Sequence, residues 1–267
     1  MSAGTPQTGG YSLLAADEPP PFLEVNRTGR SDFLIVVDHA SRRIPRRLGD
    51  LGLPESELQR HIAWDIGSLA VAQQVAAALD ATLVAQNYSR LVIDCNRDPG
   101  VDSSIPRSSE WTDIPGNMGL SEQDLLARRT AIFDPYHQHL RALIDERLAA
   151  GRSVVLVAQH SMTNSFKGVP REMHAAVLYN RDRRFASLVL EMLRREAQLT
   201  IAENEPYFVS DQSDFTIPRH AEARGLPYVA IEIRQDLVSS ETGQAEWAVR
   251  ITNALRDAGR GFPGAIA

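Results

Sequence analysis

Short apolar runs alternate with longer amphipathic stretches along most of the chain. The run at residues 33–38 (FLIVVD) is apolar up to its final aspartate, which is typical of a strand covered on both faces of a sheet. Further strands are predicted at 82–85, 91–94, 153–158, 175–179 and 228–233. Helical spacing predicts helices at 65–80, 121–150, 183–198 and 243–258. This alternation predicts an α/β protein, a single three-layer α/β/α domain around a mainly parallel or mixed central sheet.

Three segments modify this picture. Residues 1–30 are rich in Gly, Pro, Thr and Ser, which predicts a poorly ordered N-terminal arm before a domain at 31–267. Pro135 should kink the long helix at 121–150 or divide it in two. Residues 98–119 contain three prolines and three glycines, and we expect a long loop there, of the kind that often walls an active site.

The composition narrows the class of protein. With 267 residues, 43 % hydrophobic and 23 % charged, the chain is neither collagen-like nor intrinsically disordered nor a small disulfide-stapled domain. A net charge of −6 argues against a dedicated nucleic-acid partner. No apolar run approaches the ~20 residues of a membrane span, and the N-terminus lacks a signal-peptide pattern, so we expect no membrane partner and a cytoplasmic location. The sequence does not indicate an oligomeric state.

Seven histidines and one cysteine restrict any metal site to imidazole and carboxylate ligands. Ionisable residues stand at three predicted strand ends, His39, His160 and Glu232, and ligands of open α/β sheets bind at such ends. Two histidines and one carboxylate form a donor set of catalytic zinc. Asp65, at the start of a predicted helix, is the candidate third ligand, although a helix cap is an equally simple role. Each histidine alone could equally be a hydrogen-bonded loop residue.

Five motifs occur in a fixed order over about residues 30–258: VVDHASRRIP, HIAWDIG, YSRLVIDCNRD, HSM at 160–162, and YVAIEIRQD. Together they resemble the N-formylglutamate amidohydrolase family. The resemblance implies an α/β/α fold related to the zinc carboxypeptidases, and hydrolysis of an N-acyl amide by a metal-activated water. It implies that His39, Asp65 and His160 bind the metal, and that Glu232 is the general base.

A glutamyl substrate would bring two carboxylates, which call for fixed cations. Arg90 and Arg97 flank the segment LVIDCN, and the Asn96-Arg97 pair is similar to one that grips a terminal carboxylate in the related carboxypeptidases. Alternatively, one of these arginines pairs with a neighbouring aspartate as structural support. Arg171 is a further candidate for the second carboxylate. His137 is expected to face the substrate, since the family carries a similar Tyr-His there.

Together with these residues, the resemblance implies a metal-dependent hydrolase, with zinc or another divalent metal, acting on a carbon–nitrogen bond other than a peptide bond. The expected partner is a small N-acyl amino acid such as N-formylglutamate, and the family name suggests a place in histidine breakdown. Two alternatives stay open. One is another zinc-dependent N-acyl amino acid deacylase or carboxypeptidase-like peptidase on the same scaffold. The other is a relative that binds an amino acid or a metal without catalysis.

Overall fold

In the computed structural model, which describes residues 12–262, the apolar runs of the chain form a seven-stranded mixed sheet. The strands and the two small hairpins are, in chain order, β1 (Phe22–Val25), β2 (Phe33–Val37), β3 (Thr82–Gln86), β4 (Ser108–Ser109), β5 (Thr112–Asp113), β6 (Val155–Met162), β7 (Ser165–Phe166), β8 (Val169–Pro170), β9 (Ala175–Leu178), β10 (Ile201–Glu203) and β11 (Tyr228–Arg234). The seven-stranded sheet has the order β1-β3-β2-β6-β11-β9-β10. Its centre, from β3 to β11, is parallel. β1 and β9 run antiparallel to their neighbours β3 and β11.

Helices cover both faces of the sheet. They are α1 (Glu55–Leu58), α2 (Ser68–Leu79), α3 (Glu122–Arg128), α4 (Asp134–Ala149), α5 (Arg184–Arg194), α6 (Thr216–His220) and α7 (Glu241–Gly261). Along β2, Leu34 and Val36 point into one buried cluster with α4 and α6, whereas Ile35 points into a second cluster with α2, α5 and α7. Because both faces are covered, nearly every central strand residue is apolar, and the predicted three-layer architecture is confirmed.

Two sequence expectations for the N-terminal half need correction. Residues 22–25 belong to β1, which pairs with β3, so this part of the expected arm is an edge strand of the sheet. Residues 1–11 of that arm lie outside the described residues. The predicted strand at 91–94 is a series of turns, although Leu91, Val92 and Ile93 are fully buried. Side chains from elsewhere satisfy its backbone carbonyls in place of a neighbouring strand.

The long helix predicted at 121–150 is divided, as Pro135 indicated. A five-residue π-helix, Arg129–Phe133, separates α3 from α4, and Pro135 occupies the first turn of α4 directly after it. Ser121 and Asp124 form a capping box at the start of α3. Within residues 12–262, no helix combines the length and apolar character needed to cross a bilayer.

Candidate active site

The central parallel strands deliver three of the candidate residues to one edge of the sheet. His39 follows β2, while His160 and Glu232 lie opposite each other in the register of β6 and β11. Asp65 lies just before α2, and its backbone N–H donates to the carbonyl of His39 at 2.9 Å. These four residues therefore lie together at the carboxyl ends of the parallel strands, the edge of the sheet at which we expected a site.

Asp65 is the meeting point of the two histidines. Its Oδ2 lies 2.9 Å from Nδ1 of His160 and 3.3 Å from Nδ1 of His39. All three side chains are buried, and one donor atom from each lies within 4.8 Å of the others. The residue preceding α2 is Gly67, and no side chain caps that helix, so the Asp65 carboxylate faces the histidines instead of capping. The structure thus brings together the three predicted metal ligands.

His39 is held from behind by a second carboxylate. Its Nε2 lies 2.7 Å from Oδ1 of Asp94, and the other oxygen of Asp94 accepts a 2.6 Å bond from Arg90. When Nε2–H donates to Asp94, the Nδ1 of His39 keeps its lone pair toward Asp65. A histidine whose second nitrogen donates to a carboxylate is the usual arrangement of a metal-binding imidazole.

Asp38 stands behind His160 in a similar way. Its Oδ2 lies 3.8 Å from Nε2 of His160 and has no hydrogen-bond partner among the residues that the structure describes. Its Oδ1 accepts bonds of 2.8 Å from the hydroxyls of Tyr136 and Thr216. Tyr136 on α4 and Thr216 on α6 therefore fix the carboxylate that faces His160.

Burial and neighbouring charges shift the pKa values of this cluster. Burial raises the pKa of Glu232 to about 7, and the nearby His160 opposes this only in part. Burial alone would lower the pKa of His160, but the bond to Asp65 outweighs it and raises that pKa to about 10. Burial would likewise raise the pKa of Asp65, yet the two histidines hold it below its usual value. The site therefore favours a carboxylate at Asp65 and a positive charge beside it.

A cavity of about 770 Å³ opens over these residues. Arg90, Asn96 and Arg97, the residues predicted to bind substrate, all line it. Arg90 also pairs with Asp94, so the structural alternative holds for this arginine. Arg97 donates to the carbonyl of Ser213, and its nearest carboxylate oxygen, on Asp94, is 4.0 Å away.

Asn96 uses its side chain to hold the cavity wall. Its Oδ1 accepts 3.0 Å bonds from the backbone N–H groups of Phe215 and Thr216 at the start of α6. Its Nδ2 donates to Asp214 at 3.0 Å. The turn that carries Asn96 and Arg97 is therefore joined to the loop on the far side of the cavity.

Two other predicted substrate residues, Arg171 and His137, are not among the residues that line the cavity. Arg171 is buried beneath the wall, where it donates to the carbonyl of Thr163 at 3.2 Å and to the hydroxyl of Tyr207. His137 lies behind the wall, 2.8 Å from the carbonyl of Cys95 and 2.9 Å from His220. Their polar atoms are taken up by these neighbours.

Sequence reasoning missed several residues around the cavity. Asp38 was visible only as the neighbour of His39, and His61, which lines the cavity, was not among the predicted site residues. The segment 206–214 supplies much of one wall, including Tyr207 and Phe208, and it has neither helical nor strand periodicity to signal its position. Residues 98–119 do form part of the wall, through Ser103, Pro106 and Ser109.

Comparisons with known proteins show what the chain is similar to. A family model described as N-formylglutamate amidohydrolase matches residues 31–239. Among solved structures, the chain is similar to a gene product of Agrobacterium tumefaciens, with 40 % identity, a TM-score of 0.89, and coverage of 92 % of this chain and 97 % of that one. It is also similar to an N-formylglutamate amidohydrolase from Ralstonia eutropha JMP134, with 21 % identity, a TM-score of 0.67, and coverage of 90 % and 97 %, which is a likeness of fold. No curated protein matches significantly.

Proposed function

Because the chain belongs to the N-formylglutamate amidohydrolase family, whose members are hydrolases of non-peptide carbon–nitrogen bonds, we propose that it cleaves the N-formyl, or another small N-acyl, amide of an acidic amino acid. For N-formylglutamate, the reaction consumes one water and releases formate and glutamate. The observation that carries the proposal is the convergence of His39, Asp65 and His160 beside Glu232 on the wall of one cavity.

We propose that His39, Asp65 and His160 hold a zinc ion or another divalent metal. The donor set supports this, because Nδ1 of each histidine converges on one oxygen of the Asp65 carboxylate, and two imidazoles with one carboxylate are a donor set of catalytic zinc. When bound there, such a metal polarises the substrate carbonyl and lowers the pKa of a water from 15.7 to about 7. Asp94 and Asp38 would hold the two rings in the required tautomer and orientation.

Glu232 is the proposed general base. Its Oε2 has no hydrogen-bond partner among residues 12–262, and the side chain lines the cavity opposite His160. A pKa of about 7 lets this carboxyl both accept and donate a proton near neutral pH. Oε2 would take a proton from the attacking water and then deliver it to the amide nitrogen as the carbon–nitrogen bond breaks.

Arg97 is the proposed partner of a substrate carboxylate. The charge of Arg90 is balanced by Asp94 and by Asp65, whose Oδ1 is 3.7 Å from the guanidinium. Arg97 lines the same cavity with its nearest carboxylate oxygen 4.0 Å away, so more of its charge is available to a ligand. In this proposal Arg90 and Asn96 shape the binding surface, while Arg171 and His137 support the wall from behind.

Hydrolysis of N-formylglutamate by the zinc-loaded protein tests the proposal. Formate release should be measurable, and Glu232→Gln should lower kcat at least about 100-fold while the zinc content stays unchanged. Glu246→Gln, at an exposed glutamate of α7 paired with Arg250, is the matched control and should keep the wild-type rate. Zinc below a tenth of an equivalent, or full activity in Glu232→Gln or His160→Ala, would overturn the proposed mechanism.

The same assay separates the remaining alternatives. Tight zinc binding without hydrolysis of any N-acyl amino acid would indicate a binding protein. If Arg97 binds the carboxylate of the glutamate side chain, Arg97→Lys should raise KM more for N-formylglutamate than for N-formylglutamine. A cytoplasmic location and a place in histidine breakdown stay predictions.

A further inference from the structure

The mouth of the active-site cavity carries an unusual concentration of exposed aromatic side chains. Among residues 12–262, the exposed large aromatic side chains are those of Trp111, Phe166, Tyr207 and Phe208, which are 75, 38, 42 and 64 % exposed. Phe166, Tyr207 and Phe208 line the cavity from the hairpin β7–β8 and the segment 206–214, and Trp111 lies in the turn of the hairpin β4–β5, next to Lys167 of the hairpin β7–β8. We call these four residues the aromatic rim. Exposed apolar clusters of this kind mark binding surfaces in soluble proteins.

Two cations connect three of the four residues of the aromatic rim, Trp111, Phe166 and Tyr207. The guanidinium of buried Arg171 lies 5.5 Å from the ring centre of Phe166 and 4.7 Å from that of Tyr207, so it joins the hairpin β7–β8 to the segment 206–214. The ammonium of Lys167 lies 5.4 Å from Trp111 and 5.6 Å from Phe166, which joins the two hairpins. Such cation–π contacts hold the rings in place before any ligand arrives.

Glu110 fixes the base of the same hairpins. Its carboxylate accepts from Arg60 and from the backbone N–H of Lys167, and it lies 3.4 Å from Nε2 of His61. Glu110 itself adopts φ of 53°, a left-handed conformation that costs a non-glycine residue energy. The contacts of Glu110 with Arg60 and with the backbone of Lys167 stabilise this conformation and hold the hairpin β4–β5 beside the hairpin β7–β8.

The cavity is also large for N-formylglutamate. At about 770 Å³, it falls in the range of roughly 300–1,000 Å³ typical of pockets for drug-sized ligands, whereas N-formylglutamate has only about a dozen non-hydrogen atoms. The ionisable groups that the proposed chemistry uses cluster at the strand ends. The rings of Phe166, Tyr207 and Phe208 line the same cavity at its mouth.

We propose that the substrate of this site carries, beyond its scissile amide, an apolar or aromatic group that packs against the aromatic rim. This inference rests on the proposed amidohydrolase function, and it names the substrate class as N-acyl amino acids with a large apolar substituent. The substituent is supplied either by the acyl group or by a second residue joined to the amino acid. Both sources share the same chemistry at the rim: a flat apolar surface against rigid aromatic rings.

Steady-state kinetics of the zinc-loaded protein test this inference with three substrates: N-formylglutamate, N-phenylacetylglutamate and N-formylglutamyl-phenylalanine, each assayed for cleavage of its N-acyl amide. At least one of the two larger compounds should be cleaved with a kcat/KM about tenfold above that of N-formylglutamate. Which one is preferred identifies the source of the apolar group. The variants Trp111→Ala and Phe208→Ala should each lower that preference ratio about fivefold or more. Val249→Ala, at a 60 % exposed apolar residue of α7, is the control that should leave it unchanged.

The outcomes distinguish the two proposals. Cleavage of N-formylglutamate with no gain for either larger compound would overturn the rim inference and leave the amidohydrolase function intact. No cleavage of any compound would overturn the function itself. A preference ratio that the rim variants do not change would also overturn the inference. So would a change of molecular mass in solution on Trp111→Ala or Phe208→Ala without a kinetic effect, because the rim would then be an interface between copies of the chain.

Discussion

At the scale of single residues, the pair His137–His220 shows how the protonation of a buried side chain follows from its partners. Nε2 of His137 lies 2.8 Å from the carbonyl of Cys95, so this nitrogen must donate. Nδ1 of His137 then accepts from Nε2–H of His220, 2.9 Å away. Nδ1 of His220 has no partner among the described residues. Both rings are therefore neutral, and together they hold the backbone that precedes Asn96.

This pair predicts a loss of stability in acid. Burial, reinforced by Arg224, lowers the pKa of His220 to about 4, and burial together with His220 lowers that of His137. In the unfolded chain both histidines take up a proton at a pKa of about 6.5. The contribution of the neutral pair to the free energy of unfolding is therefore complete above pH 6.5. It declines as the pH falls toward 4, by at most about 1.4 kcal/mol per pH unit for each ring. NMR titration of the ring protons, assigned with His220→Gln, should give His220 a midpoint near pH 4. A midpoint above 6 would contradict the neutral pair.

At the scale of elements, the buried turn at 91–94 depends on one arginine. Arg128 lies at the end of α3. Its Nη1 donates to the carbonyl of Val92 at 3.0 Å and to Oδ1 of Asn117 at 2.6 Å. Its Nη2 donates to the carbonyl of Gly116 at 3.0 Å. Asn117 in turn donates to the carbonyl of Leu91 at 2.8 Å. These side chains replace the strand neighbour that an apolar run would otherwise need.

Arg128→Met should therefore lower the free energy of unfolding by about 3–5 kcal/mol, because it leaves several buried acceptors without donors. The neighbouring Arg129 is 53 % exposed, and its ion pair within residues 12–262 is with Asp134 at the surface. Arg129→Met is the matched control and should change stability by less than about 0.5 kcal/mol. Urea denaturation measures both variants. Similar midpoints for the two would show that Arg128 does not support the turn.

The start of α2 depends on a glycine. Gly67 has φ of 78°, and a Cβ added to it would lie 2.2 Å from the carbonyl oxygen of Val238. Gly67→Ala should cost about 2–4 kcal/mol, from the left-handed backbone together with the clash. Gly151 has φ of 72° with open space around it, so Gly151→Ala isolates the backbone cost at about 1–2 kcal/mol. Equal losses in thermal denaturation would mean that Val238 yields without cost.

The burial and the bonding partners of each segment explain which strands could be predicted from the sequence. The strands near 33–38, 82–85, 153–158, 175–179 and 228–233 are confirmed, because strands buried on both faces leave continuous apolar runs. The run at 91–94 has the same signature, and its true partners, Arg128 and Asn117, lie more than twenty residues away. β1 lies at an edge of the sheet and is only partly buried, so its hydrophobic pattern is weak.

At the scale of the whole molecule, the candidate metal site joins segments that are far apart in the chain. His39 follows β2, His160 lies near the end of β6, and Asp65 precedes α2. The site therefore joins the sheet to the start of a covering helix. His39, His160 and Glu232 were predictable because strand ends meet at one edge. Asp38 and Asp94, which support the two histidines, could not be predicted in this way, and neither could the wall at 206–214. Their positions depend on how loops close over that edge.

Because the three proposed ligands converge only in the folded chain, metal binding should stabilise the whole molecule. At a free zinc concentration 100 times the dissociation constant, linkage adds about 2.7 kcal/mol, which for a chain of this size raises Tm by roughly 5–10 °C. Differential scanning calorimetry with and without zinc measures the shift, and a chelator should reverse it. His160→Asn should lose most of the shift, whereas His174→Asn, outside the cluster, should keep it. An equal shift in the wild type and in His160→Asn would place the zinc elsewhere, and no shift in the wild type would remove the metal from the proposed chemistry.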